Sequence, residues 1–319
     1  MAPSHWSQLK ESGSLRGMRI LLFANRYGGS VLFRILLFPV VCFYLVCKRA
    51  SYRASLDYLQ RLHAYDPTQP RPRPWHVFRH FWNFATSLLD KMLVWSGRIT
   101  RSDVVLHGSE LIDTLLAEQR GAMLLISHLG NFEICQALSQ GRHNLHLTVL
   151  HHTRHATKFN KLLSQQKHSA TIKLLQVSDL DVAVAIQLGA RISAGEFVAS
   201  AADRVAISNH ASSRLCNFLG QPAPFPTGPF ALALALQAPV ISVFCLKKNG
   251  RYHVHFEQLW SGGEVKRAQR NTRIASLLDA YVAKLEYHCL TAPLQWYNFY
   301  SFWSQAPALD NQQDSRGNR

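Results

Sequence analysis

This 319-residue sequence predicts an α/β fold with a mostly parallel central sheet flanked by helices, preceded by an apolar membrane-associated helix. Three observations predict it. From about Val104 onward, short apolar runs alternate with helical patterns, the signature of strands joined by crossover helices. Residues 31–47 form a seventeen-residue apolar stretch with one charge, at the lower limit for crossing a bilayer. Hydrophobic residues make up 47% of the chain and charged ones 17%, enough apolar mass for a substantial core.

Taken in order, the apolar stretch is flanked by Arg16, Arg19 and Arg26 on one side and Lys48, Arg49 and Arg53 on the other. Charge on both sides gives no orientation. Arg34 and Pro39 within the stretch fit a segment lying in one leaflet or the interface as well as one that crosses; a buried core helix is the alternative. Ala50 to His63 has helical periodicity, whereas Asp66 to Pro74, with four prolines, has to be a loop. Trp75 to Trp95 is an aromatic-rich helix. Strands follow at Val104–His107, Ala122–Ser127, Leu145–Leu150, Ile172–Leu175, Glu196–Ser200, Val240–Leu246 and Tyr252–Phe256. Helices are predicted at Glu110–Arg120, Asn131–Ser139, Ala156–Lys167, Asp181–Gly189, Phe230–Gln237 and Thr272–Leu290. The chain divides into a membrane-associated helical segment over 1–65, an α/β domain over 66–303 and a polar, disordered tail over 304–319.

Lys and Arg outnumber Asp and Glu by 35 to 19, giving a formal charge of +16. An anionic partner is implied, and because the basic residues flank apolar segments, an anionic membrane surface fits better than nucleic acid. The six cysteines, at 42, 47, 135, 216, 245 and 289, form no Cys-x-x-Cys pair and read as buried small hydrophobes.

The sharpest chemical signal is Ser127-His128-Leu129-Gly130-Asn131-Phe132-Glu133, where a buried strand ends and a helix should begin. On one continuous helix His128 and Glu133 would sit about 140° apart. A turn at Gly130-Asn131 would let the carboxylate swing back, orient the imidazole and leave His128 to deprotonate a hydroxyl. Free N–H groups at the helix start would stabilise an oxyanion. A core histidine beside a helix-capping glutamate is the plain alternative. Asp203-Arg204, after another strand, suits substrate binding or an ion pair near the dyad, or else a surface turn. Thr227-Gly228, inside Pro224–Phe230, can cap a helix and admit close approach of a ligand, or else form a plain structural turn. His151, His152 and His155 lack a carboxylate or cysteine nearby, so Arg154 meeting phosphate is favoured over a metal there.

In order, these features resemble the lysophospholipid acyltransferase superfamily, and within it the lauroyl and myristoyl acyltransferases of bacterial lipid A biosynthesis. The resemblance rests on the apolar anchor, the His128–Glu133 block, the basic loop at Arg154, Asp203-Arg204, Pro226-Thr227-Gly228-Pro229, the strand from Ala238 to Phe244, and Ala292–Tyr297. It implies a metal- and cofactor-free acyltransferase at the cytoplasmic face of the bacterial inner membrane. The donor would be an acyl thioester on acyl carrier protein or coenzyme A, and the acceptor a lipid or glycolipid hydroxyl. Arg154, Asp203, Arg204, Thr227 and Gly228 would then bind substrate. One departure stands out: Trp296-Tyr297 is followed by Asn298–Trp303 where lipid A-type members carry a His-Arg-Arg cluster. With His5-Trp6 and Glu11-x-Gly13, which resemble a divergent branch, this places lysophospholipids and aryl-polyene-type lipids beside lipid A precursors as acceptors. An acyl thioesterase and a non-catalytic lipid-binding protein of the same fold are the alternatives.

Overall fold

A computed structural model of the chain describes residues 15–135, 146–151, 172–176, 182–205 and 212–305. The predicted helix Ala156–Lys167, Arg154, the distal half of the predicted helix Asn131–Ser139 and the tail from 306 lie outside these residues. Seven strands form the central sheet: β1 (Val104–His107), β2 (Met123–Ile126), β3 (Leu147–His151), β4 (Ile172–Gln176), β5 (Phe197–Ala201), β8 (Val240–Lys248) and β9 (Arg251–Trp260). Their order is β1-β9-β8-β2-β5-β3-β4. Five run parallel, from β8 through β4, while β9 turns back antiparallel on β8 and carries β1 alongside it. The sheet is therefore mostly parallel, as the alternation predicts.

β2 lies in the middle and all four of its residues are buried. Met123 and Leu125 join the larger apolar cluster on one face, and Leu124 and Ile126 the smaller on the other. Burial on both faces explains the continuous run, since a strand wetted on one side would alternate. A separate antiparallel hairpin, β6 (Ser213–Phe218) with β7 (Gln221–Pro226), packs at the side.

Among the described residues, seven α-helices surround these strands: α1 (Leu15–Cys47), α2 (Arg49–Tyr65), α3 (Pro74–Trp95), α4 (Glu110–Ala117), α5 (Val182–Ser193), α6 (Gly228–Ala235) and α7 (Arg270–Thr291). Along α1 the buried residues are Phe33, Leu37 and Val41, spaced four apart, and they share the larger cluster with α2, α3 and the sheet. Val31, Ile35, Phe38, Phe43 and Val46 on the same helix remain exposed. α1 kinks at Gly29, whose φ of 66° breaks helical geometry. No single helix among the described residues is long and apolar enough to cross a membrane; residues 31–47 and α2 meet at a 90° bend.

Candidate active site

His128 and Asp203 meet because their strands are adjacent and in register. In the parallel pair β2–β5, Ile126 lies opposite Ala201. Two residues beyond each, at the carboxyl edge where α/β sheets bind ligands, stand His128 and Asp203. The Asp203 carboxylate accepts a hydrogen bond from His128 Nδ1 at 2.7 Å through Oδ1, and from the His128 backbone N–H at 2.8 Å through Oδ2. The Trp296 indole N–H donates to Oδ2 as well, at 3.1 Å.

This geometry fixes the chemistry of the imidazole. An ionised carboxylate only accepts, so Nδ1 carries the proton and Nε2 keeps its lone pair. Asp203 is fully buried while the His128 side chain is 34% exposed, which makes Nε2 the reachable edge of the pair. Burial, then the charge of Arg204, lowers the His128 pKa from its usual 6.5, against the opposing pull of Asp203. The ring is thus neutral and able to accept a proton at neutral pH. Burial pushes the Asp203 carboxyl upward, but the hydrogen-bonded His128 and the neighbouring Arg204 outweigh it and hold the acid below its ordinary range.

A strap after α7, residues 292–303, holds this pair in place. The Tyr297 N–H donates to the His128 carbonyl at 2.9 Å, and the Gly130 N–H to the Gln295 carbonyl at 2.8 Å. Trp296, fully buried, packs edge-on against Tyr58, Phe218, Phe302 and Trp303. Its carbonyl accepts from His80 Nε2 at 2.9 Å, so His80 Nδ1 accepts from the Ser55 hydroxyl at 2.8 Å. Burial takes the His80 pKa down to about 4, which keeps this ring neutral and its tautomer fixed. Arg204 is bound to the same strap through Asn298 Oδ1 at 2.8 Å and the Tyr297 carbonyl at 3.0 Å. At the turn, Gly130 has φ 73°, and a Cβ there would lie 1.8 Å from the Cys245 carbonyl oxygen. Only glycine fits, and its absence of a side chain lets the chain after His128 press against β8.

One expected contact is corrected. The carboxylate that meets His128 is Asp203; Glu133 instead pairs with Lys91 of α3. Residues Phe132–Cys135 form a 3-10 turn, and from it Glu133 reaches Lys91. The backbone N–H groups from His128 to Asn131, ahead of the 3-10 turn, are taken. Those of His128, Leu129, Gly130 and Asn131 donate to Asp203, Ser127 Oγ, the Gln295 carbonyl and the Cys245 carbonyl. The cations whose fields reach His128 are Arg204 and Lys91.

The remaining candidates are placed as follows. Asp203 and Arg204 stand at the site. Thr227 precedes α6 without capping it, its hydroxyl donating to the Ser212 carbonyl, and around Gly228 there is open space. Arg154 lies outside the described residues. Sequence reasoning missed Lys91, Trp296 as a ligand of Asp203, and the His128–Asp203 pairing. The last had a signal, since two predicted parallel strands each end within three residues of a titratable group. Among the described residues no group of three or more His, Cys, Asp or Glu is placed to hold a metal.

No curated protein matches the chain. A family model described as bacterial lipid A biosynthesis acyltransferase matches residues 80–297, which hold the sheet, His128, Asp203 and Trp296. An acid-oriented histidine at the carboxyl edge of the sheet agrees with that match, and the chain belongs to the bacterial lipid A biosynthesis acyltransferase family, as an acyltransferase acting on a lipid acceptor.

Proposed function

We propose that His128 is the general base of a direct acyl transfer from a thioester, on acyl carrier protein or coenzyme A, to a lipid or glycolipid hydroxyl. The observation that carries this reading is the hydrogen bond between His128 Nδ1 and the buried Asp203, which leaves Nε2 basic and reachable. Nε2 takes the hydroxyl proton as the oxygen attacks the thioester carbonyl. The tetrahedral intermediate collapses by breaking the carbon–sulfur bond, and the departing thiolate takes the proton back from His128. No covalent acyl-enzyme is needed. Asp203 stabilises the transient imidazolium and fixes its orientation. Lys91 and Arg204 supply positive field for the oxyanion. Glu133 is read as the residue that positions Lys91. Arg154 and Arg204 belong to the substrate-binding side of the proposal, with Thr227 and Gly228.

The same proposal puts the enzyme at the cytoplasmic face of the bacterial inner membrane, held by α1 and the start of α3. On α1 the exposed Phe38 meets Phe78 of α3, which stacks on the exposed Trp75, and the cations Arg34, Lys48, Arg49, Arg53, Arg71, Arg73 and Arg79 along this part of the chain are exposed. Apolar side chains rimmed by Arg and Lys suit an interface with anionic lipid. A radiolabelled acyl thioester incubated with the protein and a bacterial lipid extract tests the reading. Transfer of label to lipid by the wild type and its loss in His128→Ala are expected; undiminished transfer by His128→Ala contradicts it.

A further inference from the structure

His80 is a polar side chain buried where an apolar one would avoid the cost of leaving water. It lies on α3, 0% exposed, among the rings of Tyr58, Tyr297 and Phe299, whose centroids are 4.7 to 6.1 Å from its own. An imidazole in such a nest has lost water at both nitrogens, and only hydrogen bonds offset that loss. Both of its bonds reach other elements: Nδ1 accepts from the equally buried Ser55 of α2 at 2.8 Å, and Nε2 donates to the Trp296 carbonyl at 2.9 Å.

One peptide group separates His80 from the reacting histidine. The carbonyl it holds and the N–H of Tyr297 belong to the same peptide plane, and that N–H donates to the His128 carbonyl at 2.9 Å. The residue that carries the carbonyl also carries the indole whose N–H donates to Asp203. The carbonyl's other donor, the Asn298 N–H at 2.9 Å, lies within the strap and ties it to no other element. Further ties on the strap end elsewhere: Asn83 on the Leu294 carbonyl, the Gln295 side chain on the Lys247 backbone, and Arg204 on the Tyr297 carbonyl and Asn298. Without the His80 donor the Trp296–Tyr297 peptide can tilt. Both the indole on Asp203 and the N–H on His128 would then shift.

We propose that His80 is a positioning residue for acyl transfer: through the Trp296–Tyr297 peptide it aims the Asp203–His128 pair and ties that pair to α2 and α3. The proposal rests on the acyl-transfer reading and adds to it a residue that touches neither substrate. The role needs a proton on Nε2 and a lone pair on Nδ1 for the Ser55 hydroxyl. Burial holds the His80 pKa at about 4, so the ring keeps this form at neutral pH.

The test replaces His80 by two amides in the full chain, held in lipid nanodiscs and measured by thioester-to-lipid transfer. Counted in bonds from Cβ, a glutamine amide nitrogen stands where Nε2 does and an asparagine one where Nδ1 does. His80→Gln therefore keeps the donor to the Trp296 carbonyl, and His80→Asn loses it while burying a similar group. His80→Asn should lower kcat about fivefold with both KM values unchanged, and His80→Gln should stay within about twofold of the wild type. In a Trp296→Phe background His80→Asn should cost about twofold or less, because the indole it helps to aim is already gone. Equal losses in the two amides, or the same loss in both backgrounds, would overturn the assignment, since a side chain that only fills space acts independently of Trp296. Nitrogen-15 spectra of the wild-type histidines, assigned with His80→Gln, keep the test decisive if His80→Asn does not fold: an Nε2–H tautomer is expected, and an Nδ1–H tautomer would overturn the proposal. No transfer by the wild type refutes the acyl-transfer mechanism itself; transfer by the wild type with kcat unchanged in a folded His80→Asn refutes only the positioning role.

Discussion

Replacing Trp296 by phenylalanine removes one hydrogen bond from the buried Asp203 and keeps most of the aromatic packing. The lost bond is the 3.1 Å donation from indole Nε1 to Oδ2, leaving the carboxylate with the two donors of His128. A hydrogen bond to a buried charge contributes about 1.5–3 kcal/mol, and the smaller ring adds a modest packing loss. For a chain of this size each kcal/mol lowers Tm by about 1–2 °C. The sign with pH follows from the direction of the Asp203 shift. Its folded pKa is depressed, so its stabilisation is present above the ordinary carboxylate value of about 3.9 and lost as pH falls through the folded value. Without the indole donor the folded pKa moves back up. The Tm gap between wild type and Trp296→Phe should therefore be widest at neutral pH and shrink in acid toward the packing loss alone. In the acyl-transfer assay the looser carboxylate should lower kcat by about tenfold, near 1.4 kcal/mol of barrier, with both KM values little changed. A kcat within twofold of wild type, together with a Tm gap that ignores pH, would refute the role given to the strap.

The other predictions concern the turn and the pH profile. Gly130→Ala puts a Cβ 1.8 Å from the Cys245 carbonyl at a φ of 73°, so the turn has to move; a loss of about 3 kcal/mol or more is expected by chemical denaturation, and a variant as stable as wild type would show that the turn is not packed against β8. Because burial and Arg204 lower the His128 pKa, the acid limb of kcat/KM should fall below 6.5; a limb above pH 7 would mean another group limits the rate.

Most of the sheet was legible because buried strands betray themselves by apolar runs: β2, β5 and β8 are found within two residues of their predicted bounds at every end. The β6–β7 hairpin was not. β7 carries Pro222, Pro224 and Pro226, which read as a loop, yet Ala223 and Phe225 between them pair with Cys216 and Arg214. Alternate N–H groups of an edge strand point away from its one partner, so proline costs no ladder bond at those places. The reversal of β9 did have a signal, Asn249-Gly250, whose φ values of 52° and 79° make the tight turn of a hairpin. At the site, His128 was identifiable from its strand end, but its partner was not. Glu133 is close in sequence and Asp203 is 75 residues away; only strand order, with β5 beside β2, decides between them.

Steady-state kinetics of Asp203→Asn and Glu133→Gln, side by side in the thioester-to-lipid assay, test the central claim most directly. Asp203→Asn replaces the acceptor that fixes the Nδ1–H tautomer with a group able to present N–H to it. By analogy with a serine protease triad, where the equivalent change costs about 10⁴ in kcat, a loss of about 10²–10⁴ is expected. Glu133→Gln keeps a hydrogen-bond partner for Lys91 and should cost about tenfold or less. The reverse ranking, with Glu133→Gln the more damaging, would contradict the assignment of Asp203 as the residue that orients His128.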